Sequence, residues 1–222
     1  MAETPSPEMP RAQLQEQQLS AAAAYAGDPW IPQNPYFAQA EPAMQRLWTE
    51  LVQPFLRGSD FRCVLDLATG HGRNAAQLLP LAGRLILVDI QPGNIEACRR
   101  RFGEDSRITY IVNNGYDLRD VPDATVTLLY CFDSMVHFDS DVVRAYLAEA
   151  RRVLVPGGRA FLHHSNYQRG HDWRSAPHSR AFMSKGLMAH YALKEGLAVV
   201  RQRVIDWGGE PRLDCLSLLA RP

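Results

Sequence analysis

Lysine is almost missing from this 222-residue sequence: Lys185 and Lys194 stand against 22 arginines. The bias fits a GC-rich genome and carries no functional signal. An excess of charge is missing too, because 24 basic and 24 acidic side chains cancel. That removes the long-range pull toward nucleic acid or an anionic membrane surface. The four cysteines, Cys63, Cys98, Cys131 and Cys215, lie far apart with no CxxC spacing. Three of them sit in apolar runs, as expected of buried, reduced thiols. No apolar run is long enough to span a bilayer. The start, MAETPSPEMPRAQ, lacks the basic region and apolar core of a signal peptide. No HxxxH spacing occurs, so no metal site is expected. These absences lead us to expect a soluble, cytoplasmic protein without a nucleic-acid, membrane or metal partner.

What is present is an ordinary globular composition, 46% hydrophobic and 22% charged, enough for one domain with trimmings. Residues 1–24, rich at first in Pro, Gln, Glu and Ser, are expected to be a disordered tail, although Ala21–Tyr25 could begin a short helix. Residues 25–57 are expected to form a strap or lid followed by a helix. Their first part, around Trp30, Pro32, Pro35 and Tyr36, is proline-stiffened and aromatic. Its rings either pack on the domain or cover a ligand. From Glu41 to Leu56, apolar residues recur at helical spacing.

From residue 58 to 222 strands and helices alternate. Strands are expected at Val64–Ala68, Leu85–Val88, Ile108–Val112, Val126–Phe132 and Arg159–His164. Helices are expected at Arg73–Leu81, Gly93–Phe102, Asp141–Leu154 and Ser179–Glu195. Such alternation calls for a doubly wound α/β parallel sheet with right-handed crossovers. The end departs from it. Ala198–Asp206 and Leu213–Ala220 flank Gly208-Gly209 and predict a hairpin, hence one antiparallel strand.

Asp66-Leu67-Ala68-Thr69-Gly70-His71-Gly72-Arg73-Asn74-Ala75 joins the first strand to the first helix. Gly70 and Gly72 permit a tight turn and close approach of backbone to ligand. The spacing also fits a dinucleotide fingerprint. Asp66 favours a different ligand, since an acid before the turn repels a pyrophosphate but suits a cationic amine. Asp89, ending the second strand, can accept from both hydroxyls of a ribose, and Ile90 can pack on a base. Asp117, after Gly115, can accept from an adenine amino group while Leu118 packs on the ring. Three acids after three successive strands point to one nucleoside ligand at the carboxyl edge of the sheet.

At these segments the chain resembles the class I S-adenosylmethionine-dependent methyltransferases, from about Arg62 to the C-terminus. VLDLATGHGRNA is similar to that family's first motif, with Ala68 where glycine is commonest. LVDI resembles the second motif and NGYDL the adenine-binding loop. CFDSMVHF resembles the loop after the fourth strand, and ARRVLVPGG the turn before the fifth. The resemblance implies a Rossmann-like seven-stranded sheet, order 3-2-1-4-5-7-6, with strand 7 antiparallel. It also implies S-adenosyl-L-methionine as cofactor, held by Asp66, Ala68, Gly70, Gly72, Asn74, Asp89, Ile90, Gly115, Asp117, Leu118 and Phe132.

Methyl transfer is an in-line displacement that needs alignment and sometimes a base. Candidates for the base are His163, His164 and His137, with an unperturbed pKa near ~6.5. Strand alternation turns His163 and His164 to opposite faces, so at most one should line a pocket. Asp133 is expected to face the acceptor. Trp30, Tyr36, Asn166, Tyr167 and His178 are the other expected contacts to a small-molecule or glycan acceptor, methylated on oxygen. Methylation of nitrogen or sulfur, a nicotinamide-dependent oxidoreductase and a non-catalytic cofactor-binding module are the alternatives.

Overall fold

The computed structural model describes residues 11–27, 36–170, 176 and 178–222. Its centre is a seven-stranded sheet in the order β3-β2-β1-β4-β5-β7-β6. The strands are β1 (Cys63–Leu67), β2 (Arg84–Asp89), β3 (Ile108–Val112), β4 (Val126–Cys131), β5 (Leu154–Ser165), β6 (Ala198–Trp207) and β7 (Glu210–Ala220). Pairings among the first five are parallel, while β7 runs antiparallel to both β5 and β6. The implied order and the antiparallel seventh strand are both present.

Side-chain alternation along the central strands divides the core in two. Leu65, Leu67, Leu129 and Cys131 join α5 (Ser140–Val153) and α6 (Lys185–Lys194) on one face. Val64, Leu128, Tyr130 and Phe132 pack with Met44, Trp48, Leu78 and Cys98 on the other. That second layer comes from α2 (Tyr36–Leu47) with the turn that follows it, the one-turn α3 (Ala75–Leu78) and α4 (Pro92–Phe102). All four cysteines are free and buried. No helix among the described residues is long and apolar enough to cross a membrane.

Several expected elements differ in extent. Residues 11–24 are not a disordered tail but part of α1 (Arg11–Tyr25); residues 1–10 lie outside the described residues. Alanine, glutamine and leucine favour this helix, and Leu19 anchors it against the core. The proline segment 28–35, with Trp30, also lies outside them. The expected helix 41–56 starts earlier, at Tyr36, and loosens into a π-turn at Trp48–Val52. The helix expected over 73–81 shrinks to Ala75–Leu78, since Gly70 and Gly72 adopt positive φ and Pro80 has no N–H to continue it. The helix expected from Ser179 begins only at Lys185, where the Ser184 side chain accepts from the Leu187 N–H. Upstream, the N–H groups of Ala181 and Met183 are spent on Val136 and Tyr167 carbonyls. The hairpin forms as expected, with Gly208 and Gly209 both at positive φ.

Candidate active site

Several segments meet at the carboxyl edge of the sheet, among them the ends of β1, β2, β3 and β4 and the chain after β5. They enclose a cavity of about 550 Å³, within the range of small-ligand sites. Helix α1 lies over one end, contributing Leu19, Ala22 and Tyr25 among others. The Gln91 Nε2 donates to the Ala23 carbonyl at 3.1 Å, and Asn94 Nδ2 to that of Ala26 at 3.1 Å.

The turn after β1 is shaped by backbone sterics. Ala68 sits at φ 57°, in the left-handed region where glycine would be easier. Ala68, Gly70 and Asn74 line the cavity, whereas Gly72 faces away toward Phe102. Asn74 is a strut: its Nδ2 donates to the Phe132 carbonyl at 3.3 Å and its Oδ1 accepts from Tyr130 at 3.1 Å. Asp66 lies beneath the turn, off the cavity wall. Its Oδ2 accepts from Thr69 at 2.8 Å, while Oδ1 is buried without a partner. Burial raises its carboxyl to about 7, against the Thr69 hydrogen bond and with help from the Asp89 charge.

Asp89 does line the cavity. Its Oδ2 accepts from the Gly70 N–H at 2.8 Å, tying β2 to the turn after β1. Its Oδ1 accepts from the Gln91 N–H at 2.9 Å and Asn94 at 3.1 Å. Burial pushes this carboxyl up and those donors partly oppose it. Ile90, Gly115 and Phe132 line the same space. A side chain at Gly115 would begin 2.3 Å from Ile90 Cδ1, so glycine keeps this wall in place.

Other expected contacts are not brought together. Asp117 binds Arg119 and Asn114 instead of lining the cavity. A guanidinium two residues away captures the carboxylate, which falls well below its usual range through the Arg119 hydrogen bonds. Leu118 is buried in the core. Asn166 and Tyr167 are also off the cavity. The Asn166 Nδ2 donates to the Arg212 carbonyl at 3.0 Å, and the Tyr167 N–H donates to Ser165 Oγ.

The three histidines separate. His163 and His164 are fully buried and neither lines the cavity. Strand β5 lies between β4 and β7 with both faces covered, so alternation moves each ring into a core rather than one into the pocket. His164 donates from Nδ1 to the Ser165 carbonyl at 2.8 Å and accepts from Ser217 at 2.7 Å. Burial lowers it to about 4. His163 accepts the Asp133 N–H at Nδ1 (3.1 Å), so its proton sits on Nε2, 3.1 Å from Asp214 Oδ2.

His137 lines the cavity. Its Nδ1 lies 3.0 Å from the Ser179 carbonyl, which can only accept. The proton is therefore on Nδ1 and the lone pair on Nε2. Burial, aided by Arg180 and His178, lowers the ring to about 4 against the Ser179 hydrogen bond.

Tyr36, Asp133 and His178 also line the cavity. Asp133 Oδ2 accepts from Tyr36 Oη at 2.6 Å and Arg73 Nη2 at 2.9 Å. Sequence reading missed Arg73, Arg180, Trp207 and helix α1 as wall elements. Arg73 sits inside the glycine motif and could have been suspected. Arg180 and Trp207 come from regions with no local motif. Among the described residues no group of His, Cys, Asp and Glu could hold a metal ion.

Residues 64–158 match the model of a methyltransferase domain family. A demethylmenaquinone methyltransferase from Clavibacter sepedonicus is 33% identical over 101 residues, 45% of this chain. The match spans 39% of that relative's length. Among solved structures, the geranyl diphosphate C-methyltransferase of Streptomyces coelicolor aligns with a TM-score of 0.69 at 14% identity, covering 97% of this chain and all (100%) of that one. An S-adenosylmethionine-dependent methyltransferase from Leishmania major aligns with a TM-score of 0.71 at 14% identity, over 91% of this chain and 82% of that one. At such identities these two likenesses speak for the fold. Residues 64–158 thus match a methyltransferase domain, and the sheet has the order and the antiparallel seventh strand of the class I S-adenosylmethionine-dependent methyltransferase fold.

Proposed function

We propose that this protein transfers the methyl group of S-adenosylmethionine to a small acceptor, by preference the hydroxyl oxygen of a phenol or glycan, with His137 as general base. The residues fit the cofactor. Asp89 offers acceptors for the ribose hydroxyls, and Ile90, Gly115 and Phe132 would flank the base. The orphaned Asp66 Oδ1, beneath the turn, suits the electrostatics of a cationic amino group above it. Bound there, S-adenosylmethionine supplies a methyl group activated by its sulfonium.

The observation that carries the base assignment is the tautomer of His137. Its Nδ1–H is committed to Ser179, which leaves Nε2 to take a proton from the acceptor. Because burial lowers the ring to about 4, it stays neutral throughout the physiological range, although its basicity is reduced by the same shift. The acid limb of kcat/KM should therefore lie near pH 4 rather than ~6.5. Asp133 and Tyr36 supply polar contacts, and Trp207, Tyr25 and Phe138 an aromatic surround for the acceptor.

The test is a turnover screen with sugars and phenols, the methylated atom being identified by NMR. His137→Gln should lower kcat/KM by at least about tenfold; a smaller loss refutes the base. A second reading has its own support. The Clavibacter relative is named a demethylmenaquinone methyltransferase, and aromatic walls suit a quinone-like ring, so a carbon acceptor competes with oxygen. A new carbon–methyl bond in the product would select it.

A further inference from the structure

We propose that His163 is a positioning residue: its Nδ1 holds the Asp133 N–H, and thereby sets how Asp133 meets the acceptor. The inference rests on the reading that the cavity receives an acceptor beside the cofactor.

Asp133 has φ 61°, a left-handed conformation that an L-residue holds only where its surroundings favour it. Two sets of contacts do so. Outward, the carboxylate is tied through Oδ2 to Tyr36 and Arg73, while Oδ1 accepts no hydrogen bond among the described residues. Inward, the peptide N–H meets the lone pair of His163.

That lone pair is itself fixed. The imidazole is wedged between Phe132 and Trp207, with ring centroids at 4.8 and 4.7 Å. Its Nε2–H faces Asp214, a fully buried carboxylate on β7. Asp214 also receives Arg180 in a two-pronged contact, Nε to Oδ1 at 3.0 Å and Nη2 to Oδ2 at 2.8 Å. Arg180 lines the cavity. The chain Arg180, Asp214, His163, Asp133 therefore joins the wall after β5 to the wall after β4 through the core. A proton on Nδ1 would break it, since the Asp133 N–H would then face another donor.

Two variants separate positioning from mere filling of space. His163→Phe keeps a ring in the slot but removes the acceptor. His163→Asn returns an oxygen near the place of Nδ1. In the 15N-labelled full chain with S-adenosylhomocysteine bound, a scalar coupling across the N–H···N contact should link Asp133 N to His163 Nδ1. Hydrogen exchange at the Asp133 amide should accelerate by at least about tenfold in His163→Phe, as for a lost hydrogen bond, and recover to within about threefold in His163→Asn. On a phenol or sugar that is turned over, His163→Phe should lower kcat/KM by about tenfold, but by less than about twofold once Asp133 is replaced by Asn.

A proton found on Nδ1, unchanged Asp133 exchange in His163→Phe, or an equal kinetic loss in both backgrounds would overturn the proposal. If His163→Phe does not fold, the wild-type coupling and His163→Asn exchange decide. Failure of S-adenosylhomocysteine to bind the wild type would strike the methyltransferase reading. The coupling, measured without it, would still test the hydrogen bond.

Discussion

Arg73 donates to Asp133 at 2.9 Å with only 6% and 8% of the two side chains exposed. A pair so buried contributes little beyond its desolvation cost, but removing one member strands the other. Arg73→Met should therefore destabilise the protein by about 3–5 kcal/mol. Tyr36→Phe, which removes one hydrogen bond to the same oxygen, should cost about 1–3 kcal/mol. Denaturant midpoints of the two variants check the order; equal or inverted losses would mean that the ion pair is not sealed.

His164 should make stability depend on pH. Its ring is lowered to about 4 in the folded chain by burial, against ~6.5 when unfolded. The unfolded chain thus binds the extra proton between these values, and stability rises with pH across that window. His164→Gln should remove about 3 kcal/mol of that rise between pH 4 and 7. Asp66 acts with the opposite sign. Raised to about 7 by burial, its contribution is present below ~3.8 and is lost as pH climbs through 7. Asp66→Asn should therefore gain on the wild type as pH rises. Unfolding curves at several pH values check both slopes.

Gly72→Ala should cost about 2 kcal/mol. The new Cβ would lie 2.5 Å from Phe102 Cε2, at φ 80°. Adding Phe102→Leu should recover the clash but leave about 1 kcal/mol of backbone strain. Full recovery would mean that the positive φ matters less than the contact.

Much of this was legible in the chain because strands buried on both faces read as apolar runs, as Val126–Cys131 does. Asp89 was legible because a strand end fixes where its carboxylate goes. Asp117 was not, since Arg119, a near neighbour in sequence, competes for it. The alternation of His163 and His164 was read correctly, but which faces are covered depends on β7, more than 40 residues away. Helix α1 was hidden by composition: its alanines and glutamines favour helix yet give only a weak apolar stripe.

Helix α1 roofs the cavity and meets the body through Gln91, Asn94 and Leu19, so its backbone should respond to the cofactor. Hydrogen exchange over residues 12–25 should slow when S-adenosylhomocysteine is added, because a filled cavity gives Leu19 and Tyr25 a surface to pack on. Unchanged exchange would remove α1 from the site.

The central claim is that this edge of the sheet holds the adenosyl cofactor through Asp89. Calorimetric titration with S-adenosylhomocysteine, with NAD as control, tests it most directly. Micromolar binding of the former alone is expected, weakened by at least about tenfold in Asp89→Ala. Binding of NAD instead, or undiminished binding by Asp89→Ala, would contradict it.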